Sequence, residues 1–190
     1  VALAQLMGLR HGVACASGTD ALLLPFRAID LAAGDEVIAP AFTFFATAGA
    51  IHNAGGKPVF VDIEADTFNI SPAAIEAAIT PRTKAIVVVH LFGQMAAMEA
   101  IAPIAAKHGL MVIEDCAHAI ETEFRGRKAG TFGDFGCFSF YVTKNIVTGE
   151  GGMVLTPTAE AAARVKVLAL HGMSKDAWKR FGDEGYKHYE

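Results

Sequence analysis

Cysteine is scarce in this sequence, and runs of basic residues are missing. The three cysteines, Cys15, Cys116 and Cys137, are far apart and odd in number, and no C-x-x-C spacing occurs. This argues against a disulfide framework and a cysteine-held metal. They read as small buried residues in a reducing compartment. A net charge of −4 without a basic patch argues against a nucleic-acid or anionic-membrane partner. No signal peptide or transit pattern is visible, and a cytoplasmic location is expected. Long apolar spans are also lacking. Val37 to Gly56 carries no formal charge, but Pro40, His52, Asn53 and the Gly55-Gly56 pair interrupt it. A spanning helix needs roughly 20 uniformly apolar residues, so the stretch reads as a strand end, a turn and a buried helix.

What is present is a chain of 190 residues, 53% hydrophobic, enough for one soluble domain with a real core. Short apolar runs alternate with helical patterns. Strands are expected at "GVACA", "EVIAP", "KPVFVDI", "AIVVVHL", "LMVIEDC", "GCFSFY" and "GGMVLT". Between them, "SGTDALLLPFRAIDLA", a segment from about Thr43, "SPAAIEAAI", "AMEAIAPIAAKHG" and "PTAEAAARVKVLAL" read as helices. Pro25 is a local irregularity in the first of these. Ser71 is expected as an N-cap with Pro72 at the first helical position. Such alternation predicts an α/β fold with a mostly parallel sheet covered by helices. In such sheets ligands bind at the carboxyl ends of strands. That rule points to Ser17 to Thr19, Phe42 to Phe45, Asp115 to His118 and Ser139 to Lys144.

Each place has an ordinary reading beside a functional one. In "SGTDAL" the glycine permits close backbone approach and the helix N-terminus suits an anion, but Ser17 and Thr19 are also ordinary caps. Asp115, ending an apolar strand, needs a partner: a metal, a helix terminus or a cationic ring nitrogen. His118 shares its face if a helix starts there, although a lone histidine is more often structural. Lys144 lies between a compact strand and a glycine-dense turn, as a surface residue, a phosphate clamp or a covalent nucleophile. Taken together, a phosphate cradle, a lysine, a carboxylate and the aromatics of "AFTFFATA" are the parts of a pyridoxal phosphate (PLP) site.

The motifs "ASGTDAL", "GDEVIAPAFTFFATAGAI", "KPVFVDIEADTFNI", "VHLFGQMAAMEAI", "VIEDCAHA", "GTFGDFGCFSFYVTKN" and "GEGGMV" stand in one order along the chain. With them the sequence resembles the DegT/DnrJ/EryC1/StrS family of PLP-dependent sugar aminotransferases, of the fold type I aspartate aminotransferase superfamily. The resemblance implies that Lys144 is the Schiff-base lysine and Asp115 the partner of the pyridine nitrogen. It sets His118 near the cofactor's phenolic oxygen, Gly18, Thr19 and Ser139 at the phosphate, and Phe44 on the ring. A freed Lys144 must be neutral to act as a base, and burial or a nearby cation favours that form of a lysine. Glu150 reads as a turn or ion-pair residue, with catalysis as the alternative. His171 faces substrate or is structural.

The resemblance further implies transfer of an amino group from glutamate or glutamine to a nucleotide-linked keto sugar, in amino-sugar or polysaccharide biosynthesis. A homodimer with shared sites is implied as well. Family members are about twice as long, so residues 1–190 are expected to be the PLP-binding large domain, cut at both ends and lacking the smaller C-terminal domain. Two rival readings are a PLP- or PMP-dependent sugar dehydratase, some of which replace the lysine by histidine, and a non-catalytic regulatory protein on the same scaffold. A generic phosphate-binding module accounts for "SGTDAL" but not for the Asp115–Lys144 pair.

Overall fold

A computed structural model describes residues 2–170. In chain order the elements are α1 (Ala2–Leu6), β1 (His11–Cys15), α2 (Gly18–Ala28), β2 (Glu36–Pro40), α3 (Phe45–Asn53), β3 (Lys57–Val61), α4 (Pro72–Ala78) and β4 (Thr83–Val89). There follow a 3₁₀ turn (Leu91–Gly93), α5 (Met98–His108), β5 (Met111–Asp115), β6 (Glu123–Phe124), β7 (Arg127–Lys128), β8 (Phe135–Ser139), β9 (Gly152–Thr156) and α6 (Ala159–Ala169).

Seven strands form one sheet in the order β1-β9-β8-β5-β4-β2-β3. The pairs among β8, β5, β4, β2 and β3 are parallel, whereas β9 is antiparallel to both β8 and β1. Within this sheet only β9 is reversed, so the carboxyl ends of the other six strands share one edge.

The central strands are apolar at successive positions because helices cover both faces, and side chains alternate between them. Val37 and Ala39, with Ala85, Val87 and Ile113, join the core against α2, α3 and α6. Ile38, Ile86, Val88 and Val112 join the core against α4 and α5. A smaller cluster packs α1 against Phe138 and Leu155. No described helix is long and apolar enough to cross a membrane.

The structure departs from the sequence reading at several boundaries. Helix α2 stops at Ala28 rather than running on to Ala32, because Asp30 turns left-handed (φ 54°). Pro72 opens α4 as expected, but Ser71 makes no side-chain cap bond. Gly109 ends α5 in the left-handed conformation, which costs a glycine little. The β6–β7 hairpin was not anticipated. Its turn residues Arg125 and Gly126 both have positive φ, the pattern of a tight two-residue hairpin turn.

That hairpin leads into a loop tied to the sheet by Glu114, which is fully buried. Its carboxylate accepts from the N–H groups of Gly130 and Gly133, and His90 Nε2 lies 2.8 Å away. His90 Nδ1 in turn accepts from the Ala96 N–H, which leaves Nε2 to carry the proton toward Glu114. Cys116 Sγ lies close to the two, within 4.8 Å, yet both carboxylate oxygens and both ring nitrogens already have protein partners. Glu114→Ala leaves two buried donors, at His90 and Gly130, and a partly buried one at Gly133 without their acceptor. Urea unfolding is expected to show a loss of about 3–5 kcal/mol; a loss below about 1 kcal/mol contradicts the anchoring role.

Candidate active site

Successive chain segments leave the shared edge of the sheet and line one cavity of about 530 Å³. After β1 come Ser17, Gly18 and Thr19; after β2, Thr43 and Phe44; after β4, His90 and Leu91. After β5 come Ala117 and His118, beyond Asp115 itself; after β8, Tyr141, Thr143 and Lys144 follow Ser139. Glu150 enters from the turn before β9. All seven residues expected as a cofactor site, Gly18, Thr19, Phe44, Asp115, His118, Ser139 and Lys144, line this cavity. His171 lies outside the described residues.

The anion-suited corner is built by close approach. Ser17 caps α2, its hydroxyl accepting from the Asp20 N–H at 3.1 Å. The N–H groups of Gly18 and Thr19 head the helix, where no preceding helical carbonyl reaches them. A Cβ on Gly18 would stand 2.5 Å from Ser139 Cβ and 2.7 Å from its Oγ. One on Gly152 would stand 2.1 Å from the Ser17 carbonyl oxygen. Glycine at both positions is what lets α2, β8 and β9 meet around this corner.

Asp115 is 6% exposed. Its carboxylate accepts from the Ala117 N–H at 3.1 Å and from Thr47 Oγ1 at 3.2 Å. Thr47 Oγ1 is 2.9 Å from Thr43 Oγ1, so a hydroxyl chain from α3 supports the acid. No cation among the described residues pairs with it. Burial pushes its carboxyl above the usual range, against the pull of these hydrogen bonds and of His118 and Lys144 nearby. A buried carboxylate with two neutral donors, opening on a cavity, fits a cationic ring N–H.

Lys144 Nζ lies 3.0 Å from His118 Nε2. Its backbone N–H donates to the Tyr141 carbonyl, in a loop closed by Phe140 N–H to Gly151 O and Thr148 N–H to Phe140 O. Partial burial, then the Lys144 charge, holds the His118 imidazole below its ordinary range, with Asp115 opposing. The neutral ring is therefore available to accept an N–H from Lys144. Phe44 is 77% exposed at the cavity rim, its extended backbone capping α3. The thiols are inert fillers: Cys116 and Cys137 are buried and pushed well up, and Cys15 rises to about 11.

Sequence reading missed the Thr43–Thr47–Asp115 chain and the Lys144–His118 contact, 26 residues apart. The four-residue spacing of Thr43 and Thr47 within "AFTFFATA" was the available signal for the first. Nothing local signals the second.

Because the Asp115 carboxyl is held above its ordinary value, the ligand-free protein loses stability as pH rises from the ordinary carboxylate range, about 3.9, through the raised value. Asp115→Asn removes that loss. Its amide accepts from Ala117 and donates to Thr47, which turns its own proton to Thr43. The ligand-free variant is expected to melt at or above the parent temperature at pH 7, with the difference vanishing as pH approaches 4. A lower melting temperature at pH 7 contradicts the burial argument.

Comparison with known proteins gives the geometry a setting. The chain is 50% identical over 187 residues to the spore coat polysaccharide biosynthesis protein SpsC of Bacillus subtilis, covering 98% of this chain and 48% of that protein. It is 54% identical over 171 residues to a UDP-N-acetyl-3-dehydro-alpha-D-glucosamine 3-aminotransferase of Acidithiobacillus ferrooxidans, covering 90% and 46%. It thus spans about half the length of these relatives. Among solved structures, it superposes on NtdA from Bacillus subtilis with bound cofactor PMP, at TM-score 0.84 and 36% identity, covering 98% of this chain and 41% of that one. The profile of the DegT/DnrJ/EryC1/StrS aminotransferase family matches residues 1–188, and the chain belongs to that family.

Proposed function

We propose that this chain is the PLP-binding large domain of an enzyme that transfers an amino group from glutamate or glutamine to a nucleotide-linked keto sugar. The observation that carries the reading is the cavity itself. One lysine, one buried carboxylate without a cationic partner among the described residues, and a glycine-built corner at a helix N-terminus face the same space.

Bound PLP supplies an aldehyde carbon that condenses with amines and a ring that accepts carbanion electrons. Lys144 Nζ is the amine that holds it. As a free amine beside the cofactor, Nζ would be placed to take and return a proton. His118, 3.0 Å from Nζ, directs that amine. Asp115 keeps a proton on the ring nitrogen by offering a fixed negative charge in a dry site. Gly18, Thr19 and Ser139 hold the phosphate with helix N–H groups and hydroxyls. Phe44, on the cavity wall, would shield the ring from water.

The reading extends to a cytoplasmic homodimer with shared sites and to a smaller second domain in the remaining half of the relatives' length. The three free thiols fit the compartment. Phe44 at the cavity rim and its neighbour Phe45, exposed at 77% and 80%, fit a covering partner. The lysine at position 144 favours amino transfer over dehydration, and the retained Asp115 and Lys144 favour catalysis over a purely regulatory role.

Borohydride reduction of the PLP-loaded protein followed by peptide mapping is expected to find the pyridoxyl group on Lys144, and Lys144→Ala to abolish it. A pyridoxyl group on Lys57, Lys84 or Lys128 in place of Lys144 overturns the assignment. Asp115→Asn, with cofactor still bound, is expected to slow transfer by about 10²-fold or more. Near-parental turnover contradicts the role given to that carboxylate.

A further inference from the structure

We propose that the Leu91–Gly93 turn is a positioning device: Phe92, held left-handed, stacks on His118 and so fixes the imidazole Nε2 against Lys144 Nζ. The inference rests on the role proposed above for Lys144.

Phe92 has φ 51° and ψ 25°, a region that a bulky side chain rarely enters unless its surroundings force it there. Core burial is not the force, since Phe92 is 79% exposed. Its ring instead lies nearly parallel to the His118 imidazole, at 11° and 5.7 Å between centroids, a favourable offset stack.

The turn is clamped from both sides. Asn69, 3% exposed, accepts from the Leu91 N–H and donates to the Gln94 carbonyl, both at 3.2 Å. Thr122 Oγ1 donates to the Gly93 carbonyl at 2.6 Å, and the Gly93 N–H donates to the His90 carbonyl. Gly93 is itself left-handed (φ 86°), and a Cβ there would stand 3.2 Å from the His118 carbonyl oxygen. Turn and His118 backbone therefore approach as closely as glycine allows.

An imidazole on one hydrogen bond swings about it. A second ring on its face removes that freedom and keeps water from that side. The ionisable groups around His118 are Lys144 and Asp115, with Tyr141, His90 and Glu150 elsewhere on the cavity wall. Neutral His118 accepts the Lys144 N–H; protonated, it repels that amine. Loosening the stack admits water, favours protonation, and misdirects Nζ.

The test uses the protein loaded with PMP, which leaves Lys144 Nζ a free amine, with ring-labelled histidine. NMR titration follows His118, assigned by its loss in His118→Gln, alongside the pH profile of amino transfer. In the parent, His118 is expected to titrate below about 6.5. Phe92→Ala and Phe92→Gly should move this titration, and the acid limb of the rate, upward by about one pH unit, which is about tenfold in rate on that limb. Phe92→Tyr should keep the parental behaviour. Phe92→Gly relieves the backbone strain, so it is expected to hold or gain thermal stability while still losing alignment, which separates positioning from folding. An unmoved His118 titration and acid limb in Phe92→Gly, with the pyridoxyl group still mapping to Lys144, overturns this inference alone. A pyridoxyl group elsewhere overturns the proposed function as well.

Discussion

A carboxylate kept dry at the end of a central strand is the constraint around which this molecule is arranged. Burying Asp115 without a cation is unfavourable. The fold does it by placing β5 between β8 and β4, with helices over both faces of the sheet. Two neutral donors, the Ala117 N–H and the Thr47 hydroxyl, satisfy its oxygens without cancelling its charge. The neighbouring Glu114 points to the opposite face and ties the hairpin loop to the sheet. One strand end thus supports both the site and the scaffold behind it.

Topology brings the rest to that carboxylate. With β9 alone reversed, six strands release their chains on the same edge, and the loop after β8 returns through "GEGG" within reach of the others. Glycine at 18 and 152 removes the side chains that would hold α2, β8 and β9 apart. The lysine and the histidine then meet from segments far apart in sequence.

Much of this was legible from residue pattern, for physical reasons. A strand buried on both faces must be apolar throughout, so "AIVVVHL" and "VIED" declare themselves. A polar residue at the end of such a run declares a site. The positions in "SGTDAL", "VIEDCAHA" and "SFYVTKN" could be picked out because strand ends in parallel sheets converge. Long-range contacts were not legible. The Thr47–Asp115 bond depends on how α3, packed against α2, β2 and β3, carries Thr47 to the end of β5, the Glu114 anchor on a loop that folds back across the sheet, and the Phe92–His118 stack on a left-handed turn that phenylalanine rarely forms. The end of α2 was misplaced for a similar reason: Asp30, a tolerable helix residue, is drawn into a left-handed turn (φ 54°).

The pairing of Asp115 with a cationic ring nitrogen is open to direct observation. PLP labelled with ¹⁵N in its pyridine ring, bound to the protein, reports by its chemical shift whether that nitrogen carries a proton. A protonated nitrogen throughout the neutral range, lost in Asp115→Asn, is the expected result. An unprotonated nitrogen in the parent protein, or a shift identical in the two proteins, contradicts the pairing.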